Sequence, residues 1–234
     1  VLGNIQGIDG GASETLTVIA GTGDVTLGAI AGIDTSLNQV LVSSANNLTF
    51  NSVNLAGSLI QTSGTGTTLF SDTVTVGQAT LTTSGVDIRG SFAAAAGLSV
   101  TGDVSLGANL TTTNADIFIS GSLSLKNSSD IALTTTGGDI QVDGVTQGSD
   151  GTGSESLTLS AGTGAVALGG LYGANLAGNA SGLSTVNIAS ASAVVLDVVE
   201  LVGNLAVIAD NAISQRLNTL VSVDGFVNLT AEDI

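Results

Sequence analysis

Cysteine, proline, methionine, tryptophan and histidine are all missing from this 234-residue chain, and each absence narrows the reading. Without cysteine there is no disulfide framework. That suits a cytosolic protein and equally a bacterial secreted one, so cysteine usage leaves the compartment open. Without histidine the commonest acid–base side chain and metal ligand is gone. Without proline, no central strand loses a backbone donor. Basic residues are nearly missing too: three Lys and Arg stand against 19 Asp and Glu, a formal net charge of −16. Arg89, Lys126 and Arg216 cannot supply the clustered cations that neutralise phosphates, so nucleic acid is not an expected partner. Anionic membrane surfaces are disfavoured for the same reason. No uninterrupted apolar run reaches the ~18 residues of a spanning helix, so membrane insertion is not expected, and no secretory signal opens the chain. Val1 in place of methionine suggests a mature product or a segment of something longer. Aromatics make up 3% although hydrophobic residues make up 43%. The apolar mass is therefore Val, Leu, Ile and Ala, which fits a thin aliphatic core better than a globule centred on large rings.

What is present is repetition. "GASETLTVIAGTGDVTLGAI" at 11–30 resembles "GSESLTLSAGTGAVALGGL" at 153–171, and the match extends backwards to pair 3–10 with 138–144. A duplicated block is the natural reading, with 3–30 resembling 138–171 and more divergent units over 185–234. A shorter period runs inside it. Strand-like segments start at 14, 38, 57, 78, 97, 109, 130, 155, 184, 204 and 226. Within them Leu48 and Phe50, Val74 and Val76, Ile117 and Ile119, Leu123 and Leu125, and Ile140 and Val142 alternate with polar residues. Period two means strands with one buried side, and clusters of Gly, Asn, Asp and Ser supply turns between them. The apolar stretch 191–210 is dense enough for a helix, but its many valines favour strand. Short strands repeated without helices imply a β-solenoid, whose coils stack at ~4.8 Å; eleven of them would span roughly 50 Å.

The residues "LTFN" at 48–51, "GSLIQT" at 57–62 and "GTGTTLF" at 64–70, with the surrounding 24–92, resemble the repeat region of giant bacterial surface proteins of the filamentous-haemagglutinin-like type. The likeness is strongest over 11–145 and weaker after about 185. It implies an all-β chain, a right-handed parallel β-helix of roughly eleven coils of about 20 residues, running as a single rod over 1–234. It also implies secretion to the bacterial cell surface and adhesive or structural rather than enzymatic work. The amino-terminal secretion domain of such proteins carries Pro-containing motifs, and this chain has no Pro. The expected identity is thus an internal stretch of a stalk or a free-standing fibre subunit.

Candidate sites follow from that picture. Thr runs place Thr82, Thr112 and Thr135 at similar points of successive units; they read as a hydroxyl face for glycans or ice, or as ordinary exposed strand threonines. Asp24, Asp87, Asp103, Asp116, Asp130 and Asp139 precede apolar strand residues and read as turn residues bonding their own backbone. The densest oxygen cluster, "QVDGVTQGSDGTGSE" at 141–155, makes Asp143 and Asp150 the first places to look for Ca²⁺, the one cofactor the composition suggests. A polysaccharide lyase or hydrolase is a third reading, weakened by the scattered basic residues. Phe118 should face outward between Ile117 and Ile119, and Val195 and Val199 likewise, giving an apolar lateral face. No polar cap closes either end, so the expected partner is the chain itself or further repeats of its parent, meeting end to end or laterally.

Overall fold

The computed structural model describes residues 3–8, 13–31, 37–126, 130–149, 154–173 and 182–233. Among the described residues the ordered elements are strands, and every strand pairing is parallel. The chain winds as a β-solenoid with three strands per turn. The first face is an 11-stranded sheet running from Ile5–Gln6 to Val227–Thr230. The second face runs from Glu14–Ile19 through Leu37–Ser44 and Ser58–Gln61 to Ala212–Gln215. The third runs from Val25–Leu27 through Leu48–Phe50 and Thr67–Phe70 to Val221–Val223. Four long strands (Gln78–Ile88, Leu98–Leu106, Ile140–Gly148 and Val166–Tyr172) pass from the second face into the third without a break. They fuse those two faces into one 16-stranded sheet.

Alternation builds the interior. Ile117, Ile119, Leu123 and Leu125 are fully buried, while Phe118 and Ser124 between them are half-exposed. Because successive coils are in parallel register, inward residues stack into columns. On the first face one column reads Val74, Phe92, Leu110, Leu133, Leu159, Ile188 and Val207. Each member covers the apolar surface of the one before it, and burying such a side chain contributes roughly 1.5–3 kcal/mol. Three of the six aromatic rings meet in one place. Phe50 and Phe70 stack face to face on the third face, centroids 5.2 Å apart, and Phe70 meets Phe92 edge-on at 5.2 Å across the corner. One polar pair is also interior: the Thr68 hydroxyl donates to Gln61 Oε1 at 2.6 Å.

The solenoid makes slightly fewer turns than the expected eleven, because its eleven stacked first-face strands are joined by ten steps from coil to coil. The eleven strand-like starts overcount because the first five lie on the second face and the last six on the first. The starts near 98 and 110 therefore belong to one turn. Coil length also varies more than a fixed period allows, from 18 residues between Val74 and Phe92 to 29 between Leu159 and Ile188. Extra residues are accommodated at corners and by register shifts, as between Thr82 and Gly85. The stretch 191–210 is strand, as Ala193–Leu196, Val199–Leu201 and Leu205–Ile208.

The duplicated block behaves unexpectedly. Glu14–Ile19 lies on the second face, whereas its counterpart Glu155–Ser160 lies on the first. The corner that follows is nevertheless the same in both. Gly21 and Gly162 have φ of 60° and 59°. The Gly23 N–H donates to the Ala20 carbonyl, and the Gly164 N–H to the Ala161 carbonyl, both at 2.9 Å. The two copies are thus offset by one face, which is possible because each face asks only for alternation and each corner for a tight turn.

Candidate functional site

The corners show how the rod is held together. Asp24 Oδ1 accepts the N–H of Asn47 at 3.0 Å, and Asn47 Oδ1 accepts the N–H of Thr67 at 3.0 Å. Asp103 serves Ser122, Asp116 serves Asp139, and Asp139 serves Ala165 in the same way, at 2.7–2.9 Å. Each bond runs to the next coil, so these side chains extend the backbone ladder around the bend, where carbonyls turn away. The expectation that Asp24, Asp103, Asp116 and Asp139 bond their own backbone is corrected, since each bonds the next coil; Asp72 is one that bonds locally, its Oδ1 accepting the Thr73 N–H. Asp87 has another role: it pairs with Arg89 at 3.2 Å and with Lys126 at 2.7 Å.

Asp24 yields a pH prediction. The Asn47 N–H and the Asn46 and Asn47 side-chain amides hold its carboxyl below the usual carboxylate range. A depressed folded-state value means that the contribution is present above the unfolded value of about 3.9 and is lost as pH falls through the folded one. Asp24→Asn keeps an acceptor oxygen but cannot titrate. It should flatten the loss of thermal stability below about pH 4, read by circular dichroism melts over that range.

The Thr-face candidates do not form a face. Thr82 is exposed on the second face, whereas Thr112 and Thr135 are buried at the corner between the first and second. Both hydroxyls donate inward to the Ala115 carbonyl, and Thr135 Oγ1 also accepts the Gly138 N–H at 3.1 Å. Thr112 and Thr135 are therefore corrected from surface hydroxyls to turn-closing ones. The strand ends just before them, and the alternation that predicts exposure stops there. Asp143 is exposed and accepts from Gln141 Nε2 at 2.6 Å on its own strand; Asp150 lies outside the described residues. Among the described residues no group of three or more acidic side chains is placed to hold a metal ion.

The apolar candidates divide. Phe118 and Val195 stand in one outward column of the second face, which reads Leu41, Ile60, Thr80, Ser99, Phe118, Gln141, Ala167 and Val195, so polar residues separate its apolar members. Phe118 lines a shallow depression of about 460 Å³ with Gln78, Leu98 and Asp116. Leu41 and Ile60 went unremarked in the sequence, although each is flanked by inward residues as Phe118 is. Val199 is corrected: it is fully buried, in register with Leu171 and Val221 in a third-face column. In "DVVELV" the inward positions are Val199 and Leu201, a phase that apolar density alone conceals.

The last turn is the other apolar surface. Leu217, Leu220, Val221, Phe226 and Val227 are exposed, Phe226 to 81%. Val221 and Val227 continue inward columns through Val199 and Leu205, but nothing among the described residues covers their far side. Asp233 already bridges Ala212 in parallel, one step up the second face. Comparison with protein families, with curated proteins and with solved structures finds no match to this chain.

Proposed function

We propose that this chain is a structural, non-enzymatic length of rod, working outside a bacterial cell as part of an adhesin stalk or as the subunit of a surface fibre. The observation that carries the reading is the continuous stack itself: two parallel sheets run the length of the described residues around one aliphatic core, a construction that resists bending and bears load along its axis. On the second face, the outward Phe118 ring and the outward neighbours Leu41 with Ile60 and Ala167 with Val195 give separate apolar contacts that side-by-side rods would use. The placement at the cell surface rests on the likeness of 24–92 to filamentous-haemagglutinin-like repeats.

Electron microscopy of the purified chain should show rods longer than the roughly 50 Å that eleven stacked strands span. The double variant Val221→Lys, Val227→Lys puts two ammonium groups on the open columns and should leave single short particles. Phe118→Ser should thin lateral bundles while leaving rod length unchanged. Monodisperse short particles from the unaltered chain at high concentration would defeat the proposal.

A further inference from the structure

Among the described residues, Glu155 is a fully buried carboxylate that no side chain of the protein neutralises. Glu155 opens a first-face strand on its inward side, in line with the buried Leu157 and Leu159, and is itself 0% exposed. Neither of its carboxyl oxygens has a hydrogen-bond partner. Burying an ionised carboxylate unpaired is among the most unfavourable things a chain can do, so either a proton or a bound cation must balance it. The balance cannot come from the chain's basic side chains. Arg89 and Lys126 both pair with Asp87, and Arg216 pairs with Asp197.

The neighbouring residues leave space for the acid and put a second bare oxygen on the same inward side. Gly148 faces the carboxylate, and a Cβ there would lie 2.6 Å from Glu155 Oε2, so only glycine leaves room for the acid. Thr146, two residues earlier on the same inward side, is 0% exposed and its hydroxyl also lacks a partner. The motif occurs twice. Glu14, the counterpart of Glu155 in the duplicated block, has an Oε2 that is buried and unpartnered as well. Glu14 pairs with Leu37 and Glu155 with Leu183, each followed at once by a one-residue register shift. The copies lie on different faces, yet the glutamate, its unpartnered oxygen and the register shift beside it recur in both.

We propose that Glu155, with oxygen from Thr146, binds a hard cation of the Ca²⁺ class inside the corner between the third and first faces. One carboxylate and neutral oxygens make a weak site, in the 10⁻⁴–10⁻³ M range of extracellular calcium modules. The cation would act as a rivet, tying the long coils on either side of it. This is independent of how rods associate.

The test uses the whole chain stripped with EDTA. Calorimetric titration with CaCl₂ to about 10 mM, ten times the weak end of that range, should show saturable binding. The melting midpoint should rise by roughly 4 °C, as expected for a site occupied well above its dissociation constant in a chain of this size. Glu155→Gln is isosteric, and should fold and lose both responses. Unchanged melting and no binding heat in the unaltered chain would overturn the proposal. So would binding that survives in Glu155→Gln, or an equal midpoint rise with NaCl at matched ionic strength.

Discussion

Phe70→Ala should lower the melting midpoint by roughly 10 °C, the largest loss expected from removing any one apolar side chain. Phe70 is fully buried and is the shared member of both ring contacts, stacked on Phe50 in the coil before and edge-on to Phe92 across the corner. Truncating a buried phenylalanine costs about 3–5 kcal/mol, the transfer term plus the void left behind. Aromatic pairing adds about 0.5–1.5 kcal/mol per contact beyond burial. In a solenoid each turn contacts only its neighbours, so the damage is local and the chain need not melt as one unit. Hydrogen exchange should therefore show protection falling first in the coils of Leu48–Phe50 and Thr67–Phe70, with the strands after Ile140 little changed. A leucine at position 70 should recover much of the loss, because Ile88, the next residue in the same column, is aliphatic. A uniform fall in protection along the whole rod would contradict the nearest-neighbour picture.

Gly102→Ala should be nearly as damaging, although it adds a single methyl group. Gly102 sits in the middle of Leu98–Leu106, where the second face bends into the third, with φ of 136°. Side-chain-bearing residues rarely adopt that conformation, at about 1–3 kcal/mol each. A Cβ there would also fall onto the carbonyl oxygen of Thr83 in the coil below. That oxygen belongs to the stacked backbone and cannot move aside without opening the ladder. Gly85, at the equivalent bend one coil earlier, is the matched control. Its nearest neighbour to an added Cβ is the Asp103 carbonyl oxygen at 3.8 Å, an ordinary contact. Gly85→Ala should be neutral, or stabilising by about 0.4–1 kcal/mol through the unfolded chain. Chemical denaturation of the two variants side by side reads the difference. Equal effects would show that the corner relaxes freely.

How much of this was legible beforehand depends on how local the cause is. The strand segments, their inward residues and the stacked parallel architecture follow from alternation, which each strand carries within itself. Ile117, Phe118 and Ile119 show it plainly: in, out and in again. What alternation cannot carry is the face on which a strand lies, because all three faces ask for the same pattern. That is why the segments near 98 and 110 read as separate coils, and why Thr82 and Thr112 read as neighbours when they lie at different corners. Corners are equally opaque: Thr112, Thr135 and the ladder aspartates bond to atoms of other residues about twenty positions away in places, a distance at which sequence carries no signal. Val199 is hidden for a related reason, since a run of consecutive apolar residues has no readable phase. Glu155 stood inside the oxygen-rich stretch, but only its inward direction separates it from Asp143.

The one-face offset between the duplicated copies bears on how such rods diversify. A core that accepts the same segment on any side is indifferent to rotation, whereas the outer surface is not. Gaining or losing a third of a turn upstream leaves every inward position filled and swings all downstream decoration around the axis. Surface chemistry can in this way be wound into a helical band of adjustable pitch, with the packed interior untouched, so that lineages alter what the shaft displays without first repairing what holds it up.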